Sequence, residues 1–214
     1  MTGKTKKITI VDYGVGNLRS LIRAFEHFDA DVIISEDPNE LAKSAAIVLP
    51  GDGTFKAGIE GLKVRGLTGT VKDFAASKRP ILGICLGAQI LMSVGFEFGN
   101  YKGLNLIPGR VVKFPNVREK IPQIGWNKLI QPKRRRWDNT LLAGVKPASF
   151  VYFIHSYIME PKNKKDILAY SIYGELTFAS VVSNGSIYGC QFHPEKSGET
   201  GLAMIKNFIN LAIK

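Results

Sequence analysis

The stretch "RPILGICLGAQILM", residues 79–92, joins two kinds of structure at one turn. "PILGI" is a short apolar run suited to a buried strand, and "LGAQILM" continues with good helix formers. Between them stands Cys85, with Gly83 and Gly87 two residues to either side. The same order runs through the residues that precede it. "KITIVD" (7–12) reads as a strand, and "NLRSLIRAFEHF" (17–28) sets Leu18, Leu21, Ile22 and Phe25 at helical spacing. "ADVIIS" (30–35), "PNELAKS" (38–44), "AAIVLPG" (45–51) and "VKDFAASK" (71–78) then alternate strand and helix. This alternation predicts an α/β fold: an open, mostly parallel twisted sheet with helices on both faces.

The second half changes character. "GRVVKFP", "NKLIQP", "SFVYFIHSYIM", "ILAYSIY" and "FASVVSNGSIYGCQF" read as strands, and "GLAMIKNFINLAIK" as the one clear helix. The Asn-Gly of "SNGS" (183–186) marks a tight hairpin turn. These strands are expected to extend the same sheet in antiparallel fashion. Residues 1–214 are read as one domain, without repeats or low-complexity linkers.

Composition narrows the class. The apolar fraction of 45% and charged fraction of 22% suit a folded globular chain. No apolar run approaches the ~20 residues of a membrane span, and the N-terminus lacks a signal-peptide pattern, so a cytoplasmic location is expected. In a reducing compartment Cys85 and Cys190 are read as thiols. The net charge of +11 includes the run "KRRR" at 133–136. That run is read as a solvated loop, because no nucleic-acid motif accompanies it.

In a parallel sheet, ligands sit beyond the carboxyl ends of the strands, where Cys85 falls. A Gly-x-Cys-x-Gly turn has the form of a nucleophile elbow, and a helix N-terminus favours a thiolate. The pentapeptide alone fits a buried strand-end cysteine equally well. A nucleophile needs a base. Of the three histidines, His27 lies at a helix end, His155 in "FIHSY", and His193 in "QFHPEKS" two residues before Glu195. Two residues apart in an extended segment, His193 and Glu195 are expected on one side, with the carboxylate orienting the imidazole. "LPGDGTF" (49–55) ends a strand, and backbone N–H groups around Gly51 and Gly53, with that of Leu86, offer an oxyanion hole. A plain strand exit fits that turn equally well. Gln89, one helical turn past Cys85, is placed to meet a polar substrate. Cys190 is read as core.

Together these stretches resemble the class I (triad) glutamine amidotransferases, on "GICLG" (83–87) and "QFHPE" (191–195). "VDYGVGNLRS" (11–20), "LPGDGTF", "GLNLIPGRVV" (103–112), "IPQIGWN" (121–127), "YFIHSY" (152–157) and "FHPEKS" (192–197) are similar to the branch of that family that serves histidine biosynthesis. The resemblance implies Cys85 as nucleophile, His193 as proton shuttle and Glu195 as its orienting acid. It implies Gly53 and Leu86 at the oxyanion, and Gly51, Gln89, Glu97, Ser156 and Tyr157 around the substrate glutamine. It further implies a heterodimer with a separate (β/α)8 cyclase that receives the ammonia, with Trp126, Tyr152 and Lys196 facing that partner. The resemblance calls for no metal and no cofactor. It also implies gating, with the hole at Gly51 to Gly53 unformed until the partner binds.

Two positions depart from the family pattern. "PGDG" replaces "PGVG", and Asp52 is expected to point outward or to pair with a cation. "PQIGWN" replaces "PHMGWN", which sets Gln123 where an imidazole near the partner face is usual. Three other readings stand beside this one: a paralogue feeding ammonia to sugar amidation, a silent scaffold for a barrel partner, and nucleic-acid binding through "KRRRW".

Overall fold

The computed structural model describes residues 6–115, 118–133 and 137–213. In chain order the elements are β1 (Ile8–Val11), α1 (Leu18–Glu26), β2 (Val32–Ser35), α2 (Pro38–Lys43), β3 (Ala46–Leu49), α3 (Phe55–Val64) and α4 (Leu67–Ala76). They continue with β4 (Ile81–Ile84), α5 (Leu86–Ile90), β5 (Val94–Gly95), β6 (Tyr101–Lys102), β7 (Gly109–Lys113), β8 (Gln123–Lys128) and β9 (Phe150–His155). The last are β10 (Tyr157–Pro161), β11 (Ile167–Tyr173), β12 (Leu176–Asn184), β13 (Ile187–Cys190) and α6 (Gly198–Ile213).

Among the described residues one sheet holds eleven strands, in the order β2-β1-β3-β4-β13-β12-β10-β7-β5-β6, with β11 paired to β12. The five strands from β2 to β13 run parallel. Beyond β13 the neighbours β12, β10 and β7 follow antiparallel. The parallel strands are apolar on both faces because both faces are covered. In β3, Ala46 and Val48 join the core under α1 and α6, whereas Ile47 and Leu49 join the core under α2 to α5. On the first side Phe25 and Phe208 meet edge to face, with centroids 6.3 Å apart.

The expected architecture is present, with three differences. First, β8 and β9 do not extend the main sheet; they pair with each other as a separate ribbon. Second, the run 150–159 is two strands, because the chain breaks at Ser156 between β9 and β10. Third, α3 is not legible in the sequence pattern. Gly58 and Gly61 argue against a helix locally, yet tertiary contact requires both. A Cβ at Gly61 would collide with the Tyr13 carbonyl, and one at Gly58 would press on Ile90 and Leu86. Thr54 caps this helix, its side chain accepting the Ala57 N–H. In the "SNGS" hairpin the two turn residues are Gly185 and Ser186, since Asn184 still pairs with Ile187.

Candidate active site

β4 ends at Ile84 and α5 starts at Leu86, so the turn between them is a single residue, Cys85, at φ 52° and ψ −107°. A non-glycine residue there costs about 1–3 kcal/mol and persists only when its surroundings enforce it. The Cys85 N–H donates to the Cys190 carbonyl at 2.7 Å, and the Cys85 carbonyl accepts the Gln89 N–H at 3.0 Å. The glycines are sterically required. A Cβ at Gly83 would stand 2.6 Å from the Gly87 carbonyl oxygen, and one at Gly87 would collide with the Leu49 carbonyl.

The turn opens into a cavity of about 270 Å³ at the carboxyl end of β4. Its walls bring together Cys85, His193, Gly53, Leu86, Gln89, Glu97, Ser156 and Tyr157, eight of the residues picked out from sequence. Asp52, Pro122, Ile154 and His155 complete it. Gly51 stands behind the wall, where a Cβ would come 2.7 Å from that of Leu86. Glu195 sits behind His193, its Oε1 accepting from Nδ1 at 2.8 Å. The pair is not built as an extended segment. His193 is extended, but Pro194–Lys196 forms a 3₁₀ turn that folds the carboxylate back onto the ring.

Burial alone would lower the His193 pKa, but its hydrogen bonds to Cys85 and Glu195, and their charges, outweigh that and push it up to about 10. The imidazole therefore holds a proton between two acidic groups. Cys190 is the opposite case: burial first, then the Glu195 charge, raises its pKa, so it remains a thiol in the core. Both cysteines are free.

Glu97 Oε2 accepts the Phe55 N–H at 2.6 Å, at the first turn of α3. Burial raises the Glu97 pKa, and the hydrogen bond opposes the rise. Tyr157 is raised by burial and by the Glu97 charge. Gln89 Nε2 is already engaged, donating to the Tyr157 carbonyl and to Gln191 Oε1, each at 3.2 Å.

Asp52 is exposed to solvent, in keeping with the first of the two outcomes expected for it. It lines the cavity, and Oδ1 accepts the Gly16 N–H at 2.8 Å, so its partner is a peptide and not a cation. A second tie holds the same turn: the buried Tyr13 phenol donates to the Pro50 carbonyl. Tyr13 is itself raised above the ordinary phenol pKa, first by burial and then by the charges of Cys85 and Asp52.

Gln123 begins β8, with its side chain on the inner side of the ribbon. It is only 2% exposed, and its Oε1 lies 3.1 Å from His155 Nε2. His155 donates Nδ1–H to the Tyr157 carbonyl at 2.8 Å. Burial lowers its pKa to about 4, with the Tyr157 bond opposing and the His193 charge assisting. No local pattern gives position 155 a role, because nothing in its neighbours shows that Ser156 turns it inward.

The β8–β9 ribbon borders the cavity. Its outer face carries three directly opposed pairs: Ile124 with Ile154, Trp126 with Tyr152, and Lys128 with Phe150. Ile124 is 59% exposed and Trp126 56%. The inner edge reaches the site, since the Tyr152 carbonyl accepts the His193 N–H at 3.0 Å and Ile154 O lies 3.7 Å from Cys85 Sγ. Lys196 is exposed beside it. Of the "KRRR" run, residues 134–136 lie outside the described residues. No helix of the described residues is long and apolar enough to cross a membrane.

The family model described as glutamine amidotransferase class-I matches residues 9–211. "Imidazole glycerol phosphate synthase subunit HisH 1" of Legionella pneumophila (strain Paris) is 44% identical over 210 residues, covering 95% of this chain and 99% of its own. "Imidazole glycerol phosphate synthase subunit HisH" of Methanosarcina acetivorans is 45% identical over 208 residues, covering 96% and 99%. A solved structure of a glutamine amidotransferase superposes with a TM-score of 0.74 at 16% identity, covering 97% of this chain and 99% of its own; at that identity the likeness is one of fold.

Proposed function

The chain belongs to the class-I glutamine amidotransferase family, and on that premise we propose that it works as the glutaminase subunit of an imidazole glycerol phosphate synthase, releasing ammonia from glutamine for histidine biosynthesis. The observation that carries the chemistry is the strained Cys85 turn facing, in one cavity, a His193 backed by Glu195 at 2.8 Å.

In this reading the Cys85 sulfur attacks the side-chain carbonyl carbon of glutamine. The carbonyl oxygen becomes an oxyanion held by the N–H groups of Leu86 and Gly53. His193 gives its proton to the amide nitrogen, the C–N bond breaks, and ammonia leaves. Water then attacks the thioester, His193 takes up its proton, sulfur departs and glutamate is released. Glu195 holds the imidazole in orientation throughout. Glu97, Ser156, Tyr157 and Gln89 line the space for the rest of the substrate. Gly51 contributes by packing, which lets Leu86 stand close to the turn.

The relatives named above are subunits, and this chain is read as one member of a complex. Its partner is a separate (β/α)8 cyclase that uses the ammonia. The apolar face of the β8–β9 ribbon, with Trp126 and Tyr152, is where that partner docks, and Lys196 lies at its edge. Docking there acts on strands whose backbone already holds His193 and approaches Cys85. The buried position of Gln123 removes it from the contact surface, so its departure from the family pattern does not bear on which partner binds.

Glutamate release from glutamine by the purified chain tests this, alone and with a cognate cyclase and its nucleotide ligand. Strong stimulation, abolished by Cys85→Ala, is the expected result. Activity that survives Cys85→Ala would overturn the chemistry, and a verified cyclase without effect would overturn the partner.

A further inference from the structure

We infer that Gln191 is a positioning residue for the nucleophile, its side-chain N–H aimed at Cys85 Sγ by a relay that begins at the Tyr157 carbonyl. The inference rests on Cys85 being the nucleophile, as proposed above.

The geometry has a fixed direction. A carbonyl oxygen can only accept, and that of Tyr157 accepts His155 Nδ1–H at 2.8 Å and Gln89 Nε2–H at 3.2 Å. This determines which end of the Gln89 amide faces it. The second hydrogen on the same nitrogen reaches Gln191 Oε1 at 3.2 Å. With its oxygen engaged, Gln191 turns Nε2 toward Cys85, 3.8 Å from Sγ. Reversing Gln191 alone would set two N–H groups against each other at Gln89 and a carbonyl oxygen against the sulfur. Gln191 is fully buried, and its own N–H donates to the Ser180 carbonyl at 2.9 Å, so the side chain starts from a held backbone.

The sulfur needs such a donor. The Ile154 carbonyl stands 3.7 Å from it, where it accepts from the thiol and repels the anion. His193 is bonded to the sulfur too, but it must move a proton during turnover. Gln191 carries no titratable group, so its donor is present at every stage and favours the anionic sulfur over the thiol. It also gives Sγ a second point of attachment besides His193, which restricts rotation of the Cys85 side chain. Gln191 and His193 leave the same strand end two residues apart, so one segment delivers both partners of the sulfur.

The test reads the sulfur without glutamine, so any contact of Gln89 with substrate does not enter. The full-length chain is alkylated with iodoacetamide across a range of pH, and the adduct at Cys85 is followed by mass spectrometry. Gln191→Met keeps the bulk and removes the donor; it should move the profile upward by about one pH unit, an alkylation roughly tenfold slower on the acid side of the midpoint. Gln89→Met leaves Gln191 in place but frees its amide to turn, and should move the profile the same way by less, roughly threefold. Profiles that superimpose on the parent's, with unchanged circular dichroism and melting, would overturn the inference. Should Gln191→Met fail to fold, Gln89→Met decides it. A parent chain without pH-dependent alkylation at Cys85 would overturn the assignment of the nucleophile itself, a different failure with a different signature.

Discussion

Asp52 Oδ1 accepts the backbone N–H of Gly16 at 2.8 Å, tying the turn after β3 to the loop after β1. The carboxylate thus buttresses the proposed oxyanion turn while placing negative charge beside it. These two effects separate by substitution. Asp52→Asn keeps an oxygen acceptor for Gly16 and removes the charge; the rate of glutamine hydrolysis should rise about two- to fivefold, with stability unchanged, because less charge opposes the oxyanion. Asp52→Ala removes both and should lower unfolding stability by about 1 kcal/mol. Steady-state glutamate release and denaturant unfolding check the pair, and an Asn variant slower than the parent would contradict the charge argument.

Cys85 stands at φ 52°, where glycine is at ease and cysteine is not. Cys85→Gly should therefore abolish glutaminase activity yet raise stability by about 1–2 kcal/mol. Cys85→Ala abolishes activity without that gain, since it keeps the Cβ. Thermal melting of the two variants side by side measures the strain held at the turn.

The two buried imidazoles of the site have opposite linkage to pH. The folded pKa of His193 is raised to about 10, so its contribution is complete below its unfolded value near 6.5 and is lost as pH rises through 10. The folded pKa of His155 is depressed to about 4, so the unfolded chain binds the extra proton between 6.5 and 4, and stability falls across that acid window. The acid loss from His155 amounts to roughly 3 kcal/mol. Stability against pH should show a maximum near neutrality; Glu195→Gln should flatten the alkaline limb and His155→Gln the acid one. Urea midpoints from pH 4 to 10 test both limbs, and an acid limb unchanged in His155→Gln would rule out that histidine as its source.

Trp126 is more than half exposed and pairs with Tyr152 across the ribbon, rings 6.0 Å apart. Trp126→Ala should change the stability of the isolated chain by no more than about 0.5 kcal/mol. It should weaken association with the proposed cyclase partner by about 2 kcal/mol or more, as expected for an aromatic anchor in an interface. Calorimetric titration of the variant with the cyclase measures this, and unaltered affinity would move the docking surface elsewhere.

What the sequence determined by itself is what short-range pattern encodes. The alternation of apolar runs and helical spacing yields the parallel half, because a strand buried on both faces and a helix buried on one leave different periods in the chain. "GICLG" and "FHPE" point to the proposed chemistry for a similar reason: the glycines and the proline act within two or three residues. Tertiary structure decided everything that depends on groups meeting from afar. The helix α3 is hidden because Gly58 and Gly61 make room for Ile90, Leu86 and the Tyr13 carbonyl. Asp52 finds its partner in Gly16, 36 residues away, and Gln123 finds His155 at a separation of 32. The break at Ser156 turns His155 and the Tyr157 carbonyl into the site, and with them the chain of amides that ends at Cys85. No local period carries such information, because the energy of a buried hydrogen bond depends on which distant donor meets which acceptor once water has been excluded.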